Sequence, residues 1–142
     1  MTKFLKWSSQ AHGFQPHFHT EFFVSTTLQG QCHFECEGGA YTTDVGDISL
    51  IPPFHVHTAQ CTEEVRYFAV YLNESGVDEW MTCDSPGIPL QWETPYVISD
   101  NLLAKKLQET MAQNSPNSSA EVAREIIRKY ARQISPDVSS LN

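Results

Sequence analysis

Hydrophobic and polar positions alternate through the first half of the chain in short runs that turn residues interrupt. The runs predicted to be strands are residues 17–28, 31–37, 40–43, 48–51 and 65–72. Glycine, proline or aspartate lies between most of these runs, as is typical of turns between strands. The last run, VRYFAVYL, is almost entirely apolar and predicts a strand covered on both faces. Together the runs predict a mainly β fold, an antiparallel sandwich or barrel.

A helical period replaces this alternation in the second half of the chain. Residues 100–113 are predicted to form a helix because apolar positions recur every four residues. That stripe consists of Leu103, Leu107 and Met111. Between the strands and this helix we predict a short helix from Ser75 to Cys83 and a proline-rich bridge over residues 85–95.

A second helix is predicted after the polar linker 114–119. Ser118 and Glu121 match a capping box, in which each residue satisfies a backbone N–H at the start of the helix. The apolar stripe of this helix consists of Val122, Ile126, Ile127, Tyr130 and Ile134. Two amphipathic helices joined by a short loop favour an antiparallel hairpin.

The two apolar stripes must be covered, either by the wall of the barrel or by a second copy of the same surface. We predict the second copy, and therefore a homodimer, because two helices exceed what a small barrel needs as a cover. The predicted interface consists of Leu103, Leu107, Met111, Ile126, Ile127 and Tyr130.

Charge and cysteine content narrow the functional classes. Nine Lys and Arg against 17 Asp and Glu give a formal charge of -8, which disfavours direct binding to a phosphate backbone. The sequence has no apolar run long enough to cross a membrane and no secretory signal, so we expect a cytoplasmic protein. Cys32 and Cys36 lie too far apart on a strand to form a disulfide, which favours free thiols in a reducing compartment.

Two histidine pairs carry the candidate chemistry. In QPHFHTEFF, residues 15–23, His17, His19 and Glu21 occupy alternate positions and would share one face of a strand. In GDISLIPPFHVHTAQC, residues 46–61, His55 and His57 alternate in the same way. If these side chains point into the barrel, their burial requires partner groups, water or a ligand. His33 is interpreted as a surface residue.

The spacing within these stretches resembles the two motifs of the cupin fold. His17-x-His19 is followed by Gly30, and the second motif runs as G-x5-P-x4-H from Gly46 through Pro52 to His57. In cupins both motifs line one end of a small barrel, and their histidines converge on a metal or a ligand. The chain departs from metal-binding cupins because its glutamate, Glu21, follows the second histidine by only two residues, and Phe54 replaces a usual glycine.

A longer resemblance extends from about residue 10 to residue 133. This stretch is similar to the N-terminal effector-binding and dimerisation domain of AraC/XylS-type transcription regulators. The resemblance implies a cupin-like antiparallel β-barrel (jelly roll) with an N-terminal arm over residues 1–95, then a helical dimerisation hairpin and the start of a linker over 96–142. It also implies a separate DNA-binding domain with two helix-turn-helix motifs, which is absent from these residues. Alternatively, residues 121–142 begin that domain.

The resemblance implies that the barrel senses a small-molecule effector without catalysing a reaction. The predicted ligand-binding residues are His17, His19, Glu21, His55, His57, Trp7, Phe23 and Tyr41. Three interpretations of the histidines stay open: a divalent Zn, Ni or Fe ion on His17, His19 and His57, an effector pocket without metal, or a structural hydrogen-bonded cluster.

Two other functions compete with effector sensing in a regulator. One is a stand-alone metal-dependent cupin enzyme, a dioxygenase or isomerase, with Glu21 as fourth ligand or general base. The other is a non-catalytic homodimeric binding module that has no DNA partner.

Overall fold

The computed structural model of the chain describes residues 2–9, 13–60, 64–73 and 91–134. The predicted helix from Ser75 to Cys83 lies outside this part of the chain, as does most of the proline-rich bridge. The predicted contact by the Trp7 side chain also lies outside it, since only the backbone is described there. Among the described residues, no helix has the length and apolar character needed to span a membrane.

The described residues form eleven strands and two helices. The strands are β1 (Thr2–Ser9), β2 (Gly13–His17), β3 (Glu21–Gln29), β4 (Cys32–Cys36), β5 (Gly39–Thr43), β6 (Ile48–Ile51), β7 (His57–Gln60), β8 (Val65–Asn73), β9 (Gln91–Glu93), β10 (Val97–Ile98) and β11 (Arg132–Ile134). The helices are α1 (Asn101–Ala112) and α2 (Pro116–Tyr130). The predicted mainly β fold with a C-terminal helical hairpin is confirmed.

Two antiparallel sheets face each other. The five-stranded sheet has the order β1-β8-β3-β6-β10, and the four-stranded sheet has the order β2-β7-β4-β5. Side chains from both sheets pack together between them, which makes this space the barrel interior. Its apolar members are Phe23, Phe34, Cys36, Tyr41, Ile51, Ala59, Tyr96 and Val97. Strands β9 and β11 form a separate antiparallel pair.

The period of two along β3 separates the interior of the barrel from its outer surface. Phe22 and Val24 are fully buried beneath the helices, whereas Phe23, between them, packs in the barrel interior. Thr26 shares the outward face, where its hydroxyl accepts a hydrogen bond from Nε2 of Gln108 in α1 at 3.2 Å. Alternate residues of β3 therefore pack beneath the helices on one face of the sheet and in the barrel interior on the other.

The helices cover the outward face of the five-stranded sheet and form an outer core with it. The outer core consists of Phe22, Val24, Ile48, Leu50, Val70, Leu72, Trp92, Ile98, Leu103, Ala104, Leu107, Met111, Ala120, Val122, Ala123, Ile126, Ile127 and Ala131. Leu107, Ile126 and Ile127 are all 0% exposed within one chain. The expectation that the helix stripes need a second copy for burial is therefore wrong, because the apolar face of the sheet covers them. A homodimer remains a prediction, but the need to bury the helix stripes no longer supports it.

The start of α2 differs from the prediction. The helix begins at Pro116, with Ser115 as its N-cap, so Ser118 lies inside the first turn and the predicted capping box does not form. Proline is favoured at the first helical position because its fixed φ suits the helix and its missing N–H would have had no partner there. Ile134 also departs from the predicted stripe, since it lies in β11 and is partly exposed.

The predicted strand over residues 17–28 is split between the two sheets. Strand β2 ends at His17 and β3 begins at Glu21, and the chain between them passes from one sheet to the other. The carbonyl of His19 accepts a hydrogen bond from the backbone N–H of Phe54 at 2.8 Å, which replaces strand pairing in this crossing. As a result Phe18 is 55% exposed and does not share the buried face of Phe22.

The turn after β3 needs the glycine of the first histidine motif. Gly30 has φ +82°, and a Cβ at this position would lie 2.3 Å from the carbonyl oxygen of Glu64. Both the left-handed conformation and the close backbone approach exclude larger residues. The next strand follows the predicted alternation, with Phe34 and Cys36 buried and His33 exposed.

Candidate functional site: a histidine cluster in the barrel

Three histidines from two sequence stretches meet in the barrel. His17 ends β2, His19 lies in the crossing after it, and His57 begins β7 directly opposite His17. One ring nitrogen from each residue lies within 4.8 Å of the others. The ring centroids are 4.3 Å apart for His17 and His57, and 4.9 and 5.1 Å from each of these to His19. The antiparallel pairing of β2 with β7 brings together motifs that lie about forty residues apart in sequence.

Backbone carbonyls select the tautomer of two of these rings. Nδ1 of His17 donates to the carbonyl oxygen of Gln15 at 2.8 Å, and Nδ1 of His57 donates to that of His55 at 2.9 Å. In both cases the acceptor is the residue two positions earlier. Because a neutral imidazole carries one N–H, each Nε2 becomes a hydrogen-bond acceptor or metal-binding nitrogen.

His57 is held in the neutral form. Burial lowers its pKa to about 4, and its bond to the His55 carbonyl opposes that shift only in part. The neighbouring rings of His17 and His19 lower the pKa further, because a positive charge on one ring disfavours a second nearby. At neutral pH the cluster therefore presents His57 as a neutral ring.

Aromatic side chains form the wall beside the cluster. The ring of His19 stacks on Phe23 at 6.4 Å and meets the edge of Tyr71 at 5.3 Å. Burial raises the pKa of the Tyr71 hydroxyl, and the nearby carboxylate of Glu21 raises it further. Glu21 is half-buried at the start of β3, but it is not a member of the three-histidine cluster.

His55 belongs to a different group of side chains. Its Nδ1 lies 2.8 Å from the hydroxyl of Tyr96, which also hydrogen-bonds the thiol of Cys36. Burial raises the pKa of Cys36 to about 11, so this thiol stays protonated. Tyr41 packs edge-on against Tyr96 at 5.1 Å. Of the predicted ligand-binding residues, His55 and Tyr41 therefore gather around Tyr96 and not around the three histidines.

Two exposed aromatic residues flank the cluster in sequence and touch one another. Phe18 lies between His17 and His19, and Phe54 precedes His55, with their ring centroids 5.8 Å apart. Phe54 is 41% exposed and has φ +67°, a conformation that bulky residues rarely adopt. We call Phe18 and Phe54 the rim pair.

Sequence reasoning missed Tyr71, Tyr96 and Cys36 as site residues. Tyr71 could have been found from period two, since it lies on the same face of β8 as Ala69 and opposite Phe23 of β3. Tyr96 offered no such signal, because it lies in an irregular stretch whose position depends on pairing with β6.

The three histidines offer donor atoms for a divalent metal, in an arrangement more open than that of an occupied zinc site. Neutral imidazoles with Nδ1 bound to carbonyls are typical zinc ligands. Three nitrogens at 2.05 Å from a tetrahedral zinc ion lie about 3.3 Å from one another, whereas those of the cluster span up to 4.8 Å. No carboxylate or thiol of the described residues joins the cluster as a fourth donor. The largest separation in the cluster exceeds that between the ligands of bound zinc, so a bound metal would draw the rings closer together.

Comparison with known families identifies the class of this domain. The sequence matches the AraC-like ligand binding domain over residues 4–129. The chain therefore belongs to this family, whose cupin-type fold agrees with the two-sheet barrel and the two histidine motifs. Comparison with curated proteins gave no match.

Solved structures similar to this chain include cupins of low sequence identity. A cupin superfamily protein from Desulfitobacterium hafniense is 11% identical with a TM-score of 0.49, over 51% of this chain and 68% of that one. A conserved protein of unknown function from Streptococcus pyogenes is 15% identical with a TM-score of 0.48, over 51% of this chain and 64% of that one. A cupin-2 domain protein from Shewanella frigidimarina is 18% identical with a TM-score of 0.47, over 51% of this chain and 71% of that one.

Proposed function

We propose that this chain is the effector-sensing domain of an AraC-type transcription regulator, acting as a homodimer in the cytoplasm. DNA is bound by a helix-turn-helix domain outside residues 1–142. The observation that carries the proposal is the partly buried histidine cluster with its aromatic wall, in a domain of the AraC-like ligand binding family. A few polar groups that converge beside apolar walls are typical of small-molecule sites.

A sensing domain needs a physical connection between its ligand and the part of the chain that responds. The connection we propose is residues 94–100, the linking segment. The hydroxyl of Tyr96 reaches His55 and Cys36 in the barrel interior, while its carbonyl accepts a hydrogen bond from Leu50 N at 3.0 Å. Val97 and Ile98 then pair with β6 at the edge of the five-stranded sheet. One short segment thus contacts both the barrel interior and the edge of the five-stranded sheet.

The linking segment ends at a residue that holds both helices. Asp100 caps α1 by accepting from Leu103 N at 3.1 Å. Its other carboxylate oxygen accepts from Lys129 Nζ at 2.9 Å and from the Tyr130 hydroxyl at 2.6 Å, at the end of α2. A ligand that displaces His55 or Tyr96 would therefore shift the start of α1 and the end of α2 together. Such a shift follows only if the ligand binds one arrangement more tightly than the other.

The proposal is tested by joining residues 1–142 to an unrelated DNA-binding domain that binds its operator only as a dimer. Reporter expression should depend on the fusion and respond to at least one compound in a small-molecule library. The response should be lost with His57→Phe, which fills the cluster, and kept with His33→Ala, an exposed histidine outside it. A reporter that is inactive with the wild-type fusion under every compound would contradict the proposal.

The alternative is a metal-dependent cupin enzyme, favoured by the tautomers of His17 and His57. It predicts about one equivalent of metal in protein purified without chelator, and loss of that metal in His57→Ala. It also predicts that a bound compound is recovered chemically changed. A sensor returns its ligand unchanged, so mass spectrometry of the recovered ligand separates the two functions.

Self-association is measured independently of ligand. Light scattering at tens of micromolar should give the mass of a dimer if the proposed regulator is correct. Because Leu107 and Ile126 are buried within one chain, the dimer must use the outer surface of the helices or another face. A monomeric mass at this concentration would contradict the dimer.

A further inference from the structure

Tyr71 and Tyr96 both face the barrel interior, but their hydroxyls differ in what they contact. Tyr71 lies opposite Phe23 on the neighbouring strand, so the two side chains share the inward face of the sheet. The Tyr71 hydroxyl has no hydrogen-bond partner among the described residues. The Tyr96 hydroxyl, in contrast, bonds two interior side chains. Because a partly buried tyrosine hydroxyl commonly has a partner, its absence at Tyr71 calls for an explanation.

The Tyr71 hydroxyl is also accessible, although the side chain as a whole is half-buried. Within the described part of the chain, the side-chain N or O atom that is both fully buried and without a hydrogen-bond partner is Nε1 of Trp92. Since the Tyr71 hydroxyl also has no such partner, its oxygen must be open to solvent. A small molecule that reaches it can accept the O–H without breaking a hydrogen bond within the protein.

The charges around Tyr71 restrict the kind of acceptor that a ligand can place there. The carboxylate of Glu21 lies close enough to act on the Tyr71 hydroxyl electrostatically. The formal charge of -8 for the whole chain acts in the same direction at longer range. Both disfavour a carboxylate or a phosphate beside this hydroxyl. The favoured acceptor is therefore an uncharged oxygen, such as that of a ketone, an amide or an alcohol.

The rings beside Tyr71 indicate what the rest of the ligand is. The rings of Phe23 and His19 each stand edge-on to that of Tyr71, with centroids 5.3 Å apart in both cases. Phe23 is only partly buried in the barrel interior, so part of its ring remains available for contact. Aromatic side chains pack well against flat apolar groups in offset or edge-on arrangements. An acceptor oxygen attached directly to an aromatic or apolar body would make both contacts together.

We propose that Tyr71 is a specificity-determining residue of the effector site, where it donates its O–H to an uncharged oxygen of a small aromatic or apolar effector whose body packs on Phe23. The inference rests on the proposed function, because it names the chemical class of that effector. It requires no particular protonation or bonding state of the three histidines.

Three probes of nearly the same shape test the proposal by ligand-observed NMR titration of the 142-residue chain. Acetophenone presents a ketone oxygen, α-methylstyrene has a CH₂ group in place of that oxygen, and benzoate presents a carboxylate. Acetophenone should bind about three- to tenfold more tightly than either of the others, since one hydrogen bond contributes a factor of this order. Equal binding of acetophenone and α-methylstyrene would contradict a donor at this position.

Tyr71→Phe assigns the preference to the hydroxyl, because it removes the O–H and keeps the ring. The preference for acetophenone over α-methylstyrene should disappear, while the affinity for α-methylstyrene should stay that of the wild type. The urea midpoint should also stay unchanged, since no hydrogen bond among the described residues is lost. Tyr96→Phe is the comparison, and its midpoint should fall because its hydroxyl is bonded. Equal losses of stability in the two variants would show that the Tyr71 hydroxyl is structural and overturn the proposal.

The reporter fusion separates failure of this inference from failure of the proposed function. For a compound that activates the fusion, Tyr71→Phe should raise the concentration giving half the maximal response by about three- to tenfold. If the fusion responds but Tyr71→Phe leaves that concentration unchanged, sensing stands and the role of Tyr71 is wrong. Preference for benzoate, or no binding of acetophenone at millimolar concentration, would overturn the ligand class. A wild-type fusion that responds to no compound contradicts the proposed function itself.

Discussion

The two faces of the five-stranded sheet differ in what covers them. The outward face is sealed by α1 and α2, and its side chains are almost entirely aliphatic or aromatic. The inward face looks across at the four-stranded sheet, and the space between the two sheets holds aromatic rings together with histidines, a thiol and hydroxyls. Apolar burial stabilises the first region, whereas the second buries polar groups whose desolvation needs partners or a ligand. The apolar contacts that stabilise the fold therefore lie mostly outside the barrel, and the polar groups of the candidate site lie inside it.

The largest expected effect on stability comes from Phe22 of β3, the strand whose side chains enter both the outer core and the barrel interior. Phe22 is 0% exposed in the outer core, and its ring meets Trp92 edge-on at 4.9 Å. Phe22→Ala should lower the free energy of unfolding by about 3–5 kcal/mol, because it removes a large buried ring. Phe18→Ala is the matched control, and its exposed position predicts a change below about 0.5 kcal/mol. Urea denaturation of both variants measures the difference, and similar losses would mean that Phe18 is also buried.

A leucine pair on α1 tests whether the outer core or a dimer contact covers the helix stripe. Leu107 is 0% exposed and Leu102 is 67% exposed on the same helix. Leu107→Ala should cost about 2–5 kcal/mol of unfolding free energy, while Leu102→Ala should change it by less than about 0.5 kcal/mol. If Leu107→Ala instead dissociates a dimer without lowering the stability of the folded chain, the stripe is an interface after all.

Asp100 joins the two helices of the outer layer through polar contacts. Asp100→Ala removes an N-cap and two charge-assisted or hydroxyl hydrogen bonds, and should lower the free energy of unfolding by about 1–2 kcal/mol. Ser115 is the N-cap of α2 but makes no side-chain capping bond. Ser115→Ala should therefore change the free energy of unfolding by only about 0.3 kcal/mol. Thermal unfolding compares the two caps directly. Equal effects would show that the capping geometry at Asp100 is unimportant.

Acid titration isolates the ionised form of the same carboxylate. The Tyr130 hydroxyl, then Lys129 and the Leu103 N–H, lower the pKa of Asp100 from 3.8 to about 2. Since the folded pKa lies below the unfolded one, the contribution is fully present above about pH 4 and is lost as pH falls toward 2. Asp100→Asn should therefore flatten the pH dependence of stability in this window. Identical slopes for the wild type and the variant would contradict the assignment.

The smallest expected effect concerns the contact between the two regions. Tyr96→Phe removes the hydroxyl that reaches His55 and Cys36, and should cost about 0.5–1.5 kcal/mol. If the linking segment couples the interior to the helices, Tyr96→Phe combined with Asp100→Asn should deviate from additivity by more than about 0.5 kcal/mol. Tyr96→Phe with Glu125→Gln is the control, because Glu125 lies on the exposed side of α2. Additive effects in both pairs would remove the support for the connection.

Individual strands could be predicted from the sequence, whereas the point at which the chain passes from one sheet to the other could not. Alternation predicted the strand over residues 48–51 with the same bounds and came within a residue for three others, because pleated strands repeat every two residues. The pattern from His17 to Val24 predicts one continuous strand, because the alternation continues through the point where the chain changes sheets. Helix α2 begins at Pro116, two residues before the capping pattern that predicted its start.

The sequence by itself determined the class of fold, the helical hairpin and the two histidine motifs. These follow from short-range periodicity and from motif spacing, which are properties of neighbouring residues. Only the tertiary structure decided that His55 turns toward Tyr96 while His17, His19 and His57 meet, and that the helix stripes are covered by the outward face of the same chain. Both results depend on contacts between residues distant in sequence, which local patterns do not encode.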